Sequence, residues 1–355
     1  MARSDLMIFL YYFIGAFFLS LLINMLFLKF AKTLGIRGNG DAIIRWGNLS
    51  KPSFGGISFY LVFLISFVAY FLFFSRGYEL QDKRLIGLFI ASSFAFLMGL
   101  ADDAYNTRPL LKLFVQICCG IILVITDKYI ILFDYPLWNY LLTIFWVVAV
   151  MNSINMLDNM DAIATIVSIV IISAILILIF LIQDFTDPNI IILTGILSSL
   201  LGFLIFNWHP SKLYMGDTGS QFLGIFLATM AIKYFWNNTS ASNCPILSRQ
   251  FIIVILAFIV PIIDTTVVVV NRLLKGRSPF VGGRDHTTHY LFFNGITERR
   301  IAILYGGISF FSLLLSIYII HYISDWNYIH VILFSLYFLF LFGILFRVTR
   351  KNRYV

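Results

Sequence analysis

The sequence predicts an all-α, polytopic integral membrane protein, and three observations predict it. Of 355 residues, 60% are hydrophobic, only 12% are charged, and apolar runs of roughly span length recur along the chain. Soluble domains carry about twice that share of charge. They also lack the polar surface to cover so much apolar side chain. A soluble enzyme, a disordered chain and a disulfide-rich secreted module are therefore excluded. The three cysteines make no framework, since Cys118 and Cys119 are adjacent within an apolar run and Cys244 lies far away.

Apolar runs fall at about 7–30, 54–74, 85–100, 110–126, 139–156, 162–183, 190–206, 219–235, 251–270, 301–322 and 329–346. A span needs about 20 apolar residues, so about eleven transmembrane helices are expected. Met7 to Phe30 is too long for a signal-peptide core and lacks a small-residue cleavage site, so it reads as a retained first span. Placing the N-terminus outside and the C-terminus in the cytoplasm puts 18 of the 25 Lys and Arg on inner segments. That is the positive-inside bias, and it explains the net charge of +8 without a nucleic-acid partner. Residues 1–355 read as one membrane domain, with inner loops at about 31–53, 101–112, 152–161, 207–218 and 271–300.

The acids are scarcer than the bases and more informative. Fifteen of the 17 are Asp; the two Glu are Glu79 and Glu298. On this topology Asp41, Asp102, Asp103, Asp158, Asp161, Asp217 and Asp285 lie at the inner boundary, with Asp264 about two turns inside a span. A carboxylate at or in a span needs a partner or a function. Loop solvation accounts for Asp127, Asp134, Asp184, Asp187 and Asp325 on the outer side.

Four stretches gather these groups. Asp102 and Asp103 end the third span, and Lys112 and Gln116 follow on one face of the next helix. Adjacent carboxylates repel unless a cation lies between them. Asn152, Asn155, Asp158 and Asp161 recur every third residue, which would line a continuous polar strip on a helix. Helix capping or interhelical glue is the bland alternative for such residues. Met215 to Ser220 is a compact turn carrying Asp217, with the oxygen ligands a hard cation such as Mg²⁺ prefers; an ordinary N-cap is equally open. The inner loop at 271–300 holds Arg284, His286 and His289 beside other bases, a pattern suited to phosphate rather than zinc. A solvated basic loop facing anionic lipid is its alternative.

As a set, these stretches resemble the polyprenyl-phosphate N-acetylhexosamine-1-phosphate transferases. That family combines an Asp-Asp pair followed by Lys-x-x-x-Gln, then Asn-x-x-Asn-x-x-Asp-Gly-x-Asp-Gly, Gly-Asp-Ser/Thr-Gly-Ser and a His-rich inner loop. All four appear here in order across roughly residues 40–300, and Asp41, Arg45, Pro52, Gly55 and Gly56 of the first inner loop look similar too. The sequence departs from the pattern at Asn159 and Ala162, where the family has Gly, and at Thr288, where it has a middle His.

The resemblance implies residue roles. Asp102 and Asp103 match the pair associated with the acceptor lipid phosphate. Asn155, Asp158 and Asp161, with Asn152, match the nucleotide-sugar strip, and Asp217 matches the Mg²⁺ ligand (Mn²⁺ is the alternative ion). Lys51, Lys112, Arg284, His286 and His289 are candidate substrate-binding residues. The implied reaction moves a sugar-1-phosphate from a UDP-sugar to undecaprenyl phosphate at the cytoplasmic face of a bacterial inner membrane. It releases UMP and starts a cell-envelope glycan. The donor is expected to be an N-acetylhexosamine, with GlcNAc favoured; the phospho-MurNAc-pentapeptide branch is the alternative within the family. Partners are then the UDP-sugar, the polyprenyl phosphate and the membrane, and a homodimer is compatible. Asp264, with Asn271 and Lys275 on one helix face, is expected to support the site, with an intramembrane structural partner as the equal alternative. A secondary transporter is the rival class. It predicts broken helices, midplane charges and an internal repeat, and the sequence shows no repeat.

Overall fold

The computed structural model describes residues 3–30, 51–73, 82–238, 245–278 and 283–351. Asp41, Arg45, Glu79 and Cys244 lie outside the described residues. The described residues form helices and connections, with no strand: α1 (Arg3–Phe30), α2 (Gly55–Phe73), α3 (Lys83–Tyr105), α4 (Pro109–Ile125), α5 (Pro136–Leu157), α6 (Ile163–Leu181), α7 (Asn189–Asn207), α8 (Gly216–Ala231), α9 (Leu247–Ala257), α10 (Ile259–Leu274), α11 (Thr287–Phe293), α12 (Glu298–Tyr322) and α13 (Tyr328–Lys351). Proline opens α4 and α5, where a missing N–H costs nothing.

Among the described residues, eight helices are long and apolar enough to cross a membrane, or nine if α9 and α10 count as one bent span. The expected eleven is not reached by length and composition, for local reasons. The run at 110–126 forms only the 17-residue α4. The run at 219–235 forms the 16-residue α8, continued by a π-helical turn at Ile232–Trp236. The run at 251–270 is broken into α9 and α10, bent by 86°. Pro261 explains that break, because its ring opposes the carbonyl four residues back, Ala257, the last residue of α9. The runs at 85–100 and 190–206 extend to helices of 23 and 19 residues, α3 and α7.

α8 is the axis of the bundle, packed against α2, α3 and α5. It is buried along its length except at Asp217, which sits in its first turn. Small residues allow the close packing, as is usual between membrane helices. A Cβ at Gly99 of α3 would collide with the Asp217 carbonyl. The central helix therefore carries Asp217 to a point where several neighbouring helices end.

Candidate active site

The C-terminal ends of α3, α5, α7 and α10 and the N-terminal ends of α4, α6, α8 and α12 meet at one end of the bundle. Nearly every residue singled out from the sequence lies there, in three linked clusters.

The first cluster surrounds Asp217. The Lys112 ammonium lies between two carboxylates, 2.5 Å from Asp102 Oδ2 and 2.6 Å from Asp217 Oδ2. Asp102 is buried, and its other oxygen accepts from the Thr107 amide at 2.9 Å and the Thr107 hydroxyl at 2.6 Å. Asn155 donates to Asp217 Oδ1 at 3.0 Å and to the Ser220 hydroxyl at 2.8 Å. Lys112 and Gln116 do share a face. Gln116 and Asn152 exchange amide hydrogen bonds at 2.7 and 3.3 Å one turn deeper, and Gln116 also donates to Gln221. Asn152 is thus glue between helices beneath the cluster.

Asp103 does something different from its neighbour. Its carboxylate accepts from the backbone N–H of Asp217 at 3.0 Å, the N–H of Thr218 at 2.9 Å and the Thr218 hydroxyl at 2.6 Å. Those are orphan donors at the start of α8, so Asp103 caps that helix from outside. Gly216 makes room for it: φ is +72°, and a Cβ there would lie 2.5 Å from Asp103 Oδ2.

The second cluster surrounds Asp161. The expected continuous strip does not form, because α5 ends at Leu157 with Asp158 as its C-cap. Asp161 lies beyond the helix and meets a different set of partners from Asp217. It accepts from the Ser211 hydroxyl at 2.7 Å and the Ser211 N–H at 2.9 Å, and meets His209 Nδ1 at 3.0 Å. Lys51 lies 4.0 Å from it and donates to Ser211 at 3.0 Å, with its ammonium 5.1 Å from the centre of the Tyr214 ring. Glu298 approaches His209 at 3.2 Å, and Arg299 donates to the His209 carbonyl. Ala162, where the family pattern has Gly, still holds the left-handed conformation a Gly would take, with φ +67°.

The third cluster is the histidine segment. Buried Asp264 receives His286 Nδ1 at 2.8 Å, the Thr287 N–H at 2.9 Å and the Thr287 hydroxyl, which also meets Tyr305 at 2.6 Å. Asp264 thus supports the His286 segment. Asn271 does not join it, since it donates to Thr349 on α13. His289 stacks edge-on to His286; burial and then the His286 charge push it down to about 4, which keeps it neutral. Burial alone would raise Asp285, but the Arg272 guanidinium, paired with it at 2.7 and 2.8 Å, holds it below the usual carboxylate range. Arg284 lies next to this pair in sequence and is exposed.

Sequence reasoning missed His209, Ser211, Thr107 and Tyr305. Glu298 carried a signal, as one of two Glu in the chain. Asp187 needs correcting. Assigned to loop solvation, it is buried at the opposite end of the bundle and paired with Lys233 at 2.6 Å, because the π-helical turn carries that ammonium and the Tyr234 hydroxyl onto it.

Two groups of residues suit a cation to different degrees. In the first cluster two carboxylate oxygens already converge on one cationic point, the Lys112 ammonium, amid hydroxyl and amide oxygens, which fits a hard divalent ion. Asp161, His209 and Glu298 also stand within metal-ligand reach of each other. There the carboxylates are already engaged by His209, Ser211 and Lys51, so their charge is balanced without an ion.

Known proteins resemble this chain. Residues 85–235 match the model of glycosyl transferase family 4. That stretch includes Asp102, Asp103, Lys112, Asn155, Asp158, Asp161 and Asp217. A probable undecaprenyl-phosphate N-acetylglucosaminyl 1-phosphate transferase of Bacillus subtilis is 24% identical over 271 residues, covering 73% of this chain and 70% of that protein. A decaprenyl-phosphate N-acetylglucosaminephosphotransferase of Mycobacterium leprae is 28% identical, over 71% of this chain and 69% of that protein. A phospho-N-acetylmuramoyl-pentapeptide-transferase of Streptococcus uberis is 32% identical, over 60% of this chain and 69% of that protein. The chain therefore belongs to glycosyl transferase family 4, among the polyprenyl-phosphate N-acetylhexosamine-1-phosphate transferases that its four motifs resemble.

Proposed function

We propose that this protein transfers an N-acetylhexosamine-1-phosphate, GlcNAc-1-phosphate in the favoured reading, from a UDP-sugar to a polyprenyl phosphate, releasing UMP. One observation carries the proposal. Asp102, Lys112, Asn155 and Asp217 come from four different helices and converge at one end of a bundle built to sit in lipid. A lipid phosphate resides at the membrane surface and a nucleotide sugar resides in water, so the reaction belongs at such an end. The positive-inside charge bias supports that end as the cytoplasmic one, and the bacterial relatives support an inner membrane.

The acceptor phosphate oxygen attacks the sugar-bearing phosphorus of the donor. The bond from that phosphorus to the bridging oxygen breaks, and the electron pair leaves with UMP. Asp102 faces the acceptor and takes or directs its proton. Lys112 balances the negative charge shared by the two phosphates. Asn155 fixes the Asp217 carboxylate, and Asp103 fixes the backbone that carries it. Asp217 is the residue that would hold Mg²⁺, which when bound would neutralise the donor diphosphate. The cluster of Lys51, Asp161 and Tyr214 offers a ring face, a cation and a carboxylate to the nucleotide side of the donor.

The 86° break between α9 and α10 is a feature a transporter would share. Asp264, the acid beside it, is closed off by His286, Thr287 and Tyr305, so it supports a structure and not a passage. The decisive experiment supplies the purified protein with polyprenyl phosphate, Mg²⁺ and a panel of UDP-sugars, and measures UMP and lipid-linked sugar. Release of UMP with one donor supports the proposal and names the sugar. No product with any donor refutes it. Exchange of labelled UMP into the donor without acceptor would show a two-step route through a phosphorylated Asp.

A further inference from the structure

The end of α5 and the histidine segment are joined by one particular side-chain contact. The Thr288 hydroxyl donates to Asn159 Oδ1 at 2.7 Å, across 129 positions of sequence. Thr288 is fully buried. The Asn159 amide is held in that orientation, because its Nδ2 donates to the Met156 carbonyl at 2.8 Å. Both ends of the contact are thus fixed before they meet. Asn159 lies between Asp158 and Asp161, and Thr288 lies between His286 and His289.

These are also two of the three positions at which the sequence departs from the pattern it resembles. A glycine at 159 would offer no side-chain acceptor for Thr288. A histidine at 288 is larger than the space a buried threonine fills. The two departures meet each other in space, and the contact exists only with both.

We infer that Asn159 and Thr288 form a latch that sets the gap between the strip at the end of α5 and the histidine segment, and so positions that segment for the UDP-sugar. The inference rests on the donor assignment under Proposed function. The latch is a positioning device: neither residue touches the reacting atoms. The segment is already tied on its other side by Asp264 and, through Asp285, by Arg272. The latch is its tie toward the α5 end. With it, the ends of α5 and α11 move as one unit, and the donor meets a preformed gap. Without it, the donor must order the segment as it binds.

The test uses the full-length protein in lipid nanodiscs. Thr288→Val keeps the buried volume and removes the hydroxyl, whereas Thr288→Ser keeps the hydroxyl. Binding of UDP-N-acetylglucosamine is measured by calorimetry, and UMP release gives KM and kcat. Thr288→Val is expected to weaken donor binding and raise KM about tenfold, with kcat within about twofold. Thr288→Ser is expected to stay near the wild type, which a bulk packing effect would not explain. Asn159→Gly should reproduce the loss, and the double variant Asn159→Gly with Thr288→Val should be no worse than either alone. Unchanged donor affinity in Thr288→Val, additive losses in the double variant, or a fall in kcat at unchanged KM would each overturn the latch. Failure of the proposed transfer looks different. A wild type that binds UDP-N-acetylglucosamine and releases no UMP refutes transfer, and the binding arm still decides the latch. A wild type that binds no UDP-N-acetylglucosamine overturns the latch itself.

Discussion

The adjacent acids Asp102 and Asp103 should fail in different ways when each is changed to Asn. Asp103 Oδ2 accepts both the Thr218 N–H and the Thr218 hydroxyl, and Oδ1 accepts the Asp217 N–H. An Asn at 103 keeps one oxygen, best placed at the Thr218 pair, and turns its NH₂ toward the Asp217 N–H. One buried donor is then unmet, at a cost of about 1–3 kcal/mol. The two surviving bonds lose their charge assistance, and the helix N-terminus loses a carboxylate worth up to about 2 kcal/mol in a partly buried site. The total is roughly 3 kcal/mol, so Asp103→Asn should lower the melting temperature clearly. It should also lower activity, because the displaced backbone carries Asp217. Asp102→Asn keeps an oxygen for the Thr107 donors and loses only one of the two carboxylates around Lys112. It should melt close to wild type and lose nearly all UMP release. The assay is a thermal melt in detergent beside UMP release on the same samples. An Asp103→Asn protein that melts like wild type while losing activity as completely as Asp102→Asn would refute the division of labour.

Other consequences are as direct. Asp217→Asn should cut UMP release by at least about a hundredfold, the scale on which single electrostatic groups act in active sites, and should abolish stimulation in a Mg²⁺ titration. Full activity of Asp217→Ala at low Mg²⁺ would show that the ion is held elsewhere. Gly216→Ala should cost about 1–2 kcal/mol of stability from the left-handed backbone alone, and more where the new methyl meets Asp103; a melt measures it. Asp187→Ala should destabilise by about 1–3 kcal/mol with KM for the donor unchanged, since at the end remote from the site it leaves the buried Tyr234 hydroxyl and the Asn189 donors without their acceptor. Burial alone would raise Asp187, but the Lys233 ammonium outweighs it and holds the carboxyl below its usual range. Its stabilisation is therefore present above the ordinary Asp value near 4 and is lost as pH falls through the lowered one, so Asp187→Asn should blunt the acid limb of a stability-against-pH curve.

Much of this site was legible because a membrane makes charge expensive. In a chain with 12% charged residues, placing the inner acids and bases found Asp102, Lys112, Asp217, Asp161 and Lys51, and all of them lie in the clusters. The period-three strip was legible only in part. Asn152 and Asn155 kept helical spacing, but α5 stops at Leu157 and Asp161 leaves on a turn with a left-handed Ala162, which no periodicity signals. Each of the eleven apolar runs is helical, but only eight or nine qualify as spans by length and composition among the described residues. Pro261 splits one apolar run, and a π-helical turn finishes another. His209 and Thr107 were invisible for a further reason. Each is brought into the site by a partner distant in space or by a backbone turn, and neither belongs to a motif.

Both ends of the bundle carry an Asp–Lys pair at 2.6 Å, so proximity alone does not separate a site from a staple. The valence of the carboxylates does. Asp187 accepts from Lys233 and Tyr234 on one oxygen and twice from Asn189 on the other, and its side chain is 1% exposed. Nothing further can bind it, and its neighbour Lys128 is pushed down to about 8 by burial and by the Lys233 charge, as befits a closed interior. Asp217 has a side chain 21% exposed, a second carboxylate converging on the same ammonium, and a lysine shared between the two. That arrangement holds its charge in place while leaving an edge open to an incoming phosphate and its cation. The same pair of residue types is thus a staple where every acceptor is filled, and a reactive centre where two acids share one base at an open edge. The distinction is testable in one comparison: Lys233→Met should be felt in melting temperature and not in turnover, and Lys112→Met in turnover far more than in melting temperature.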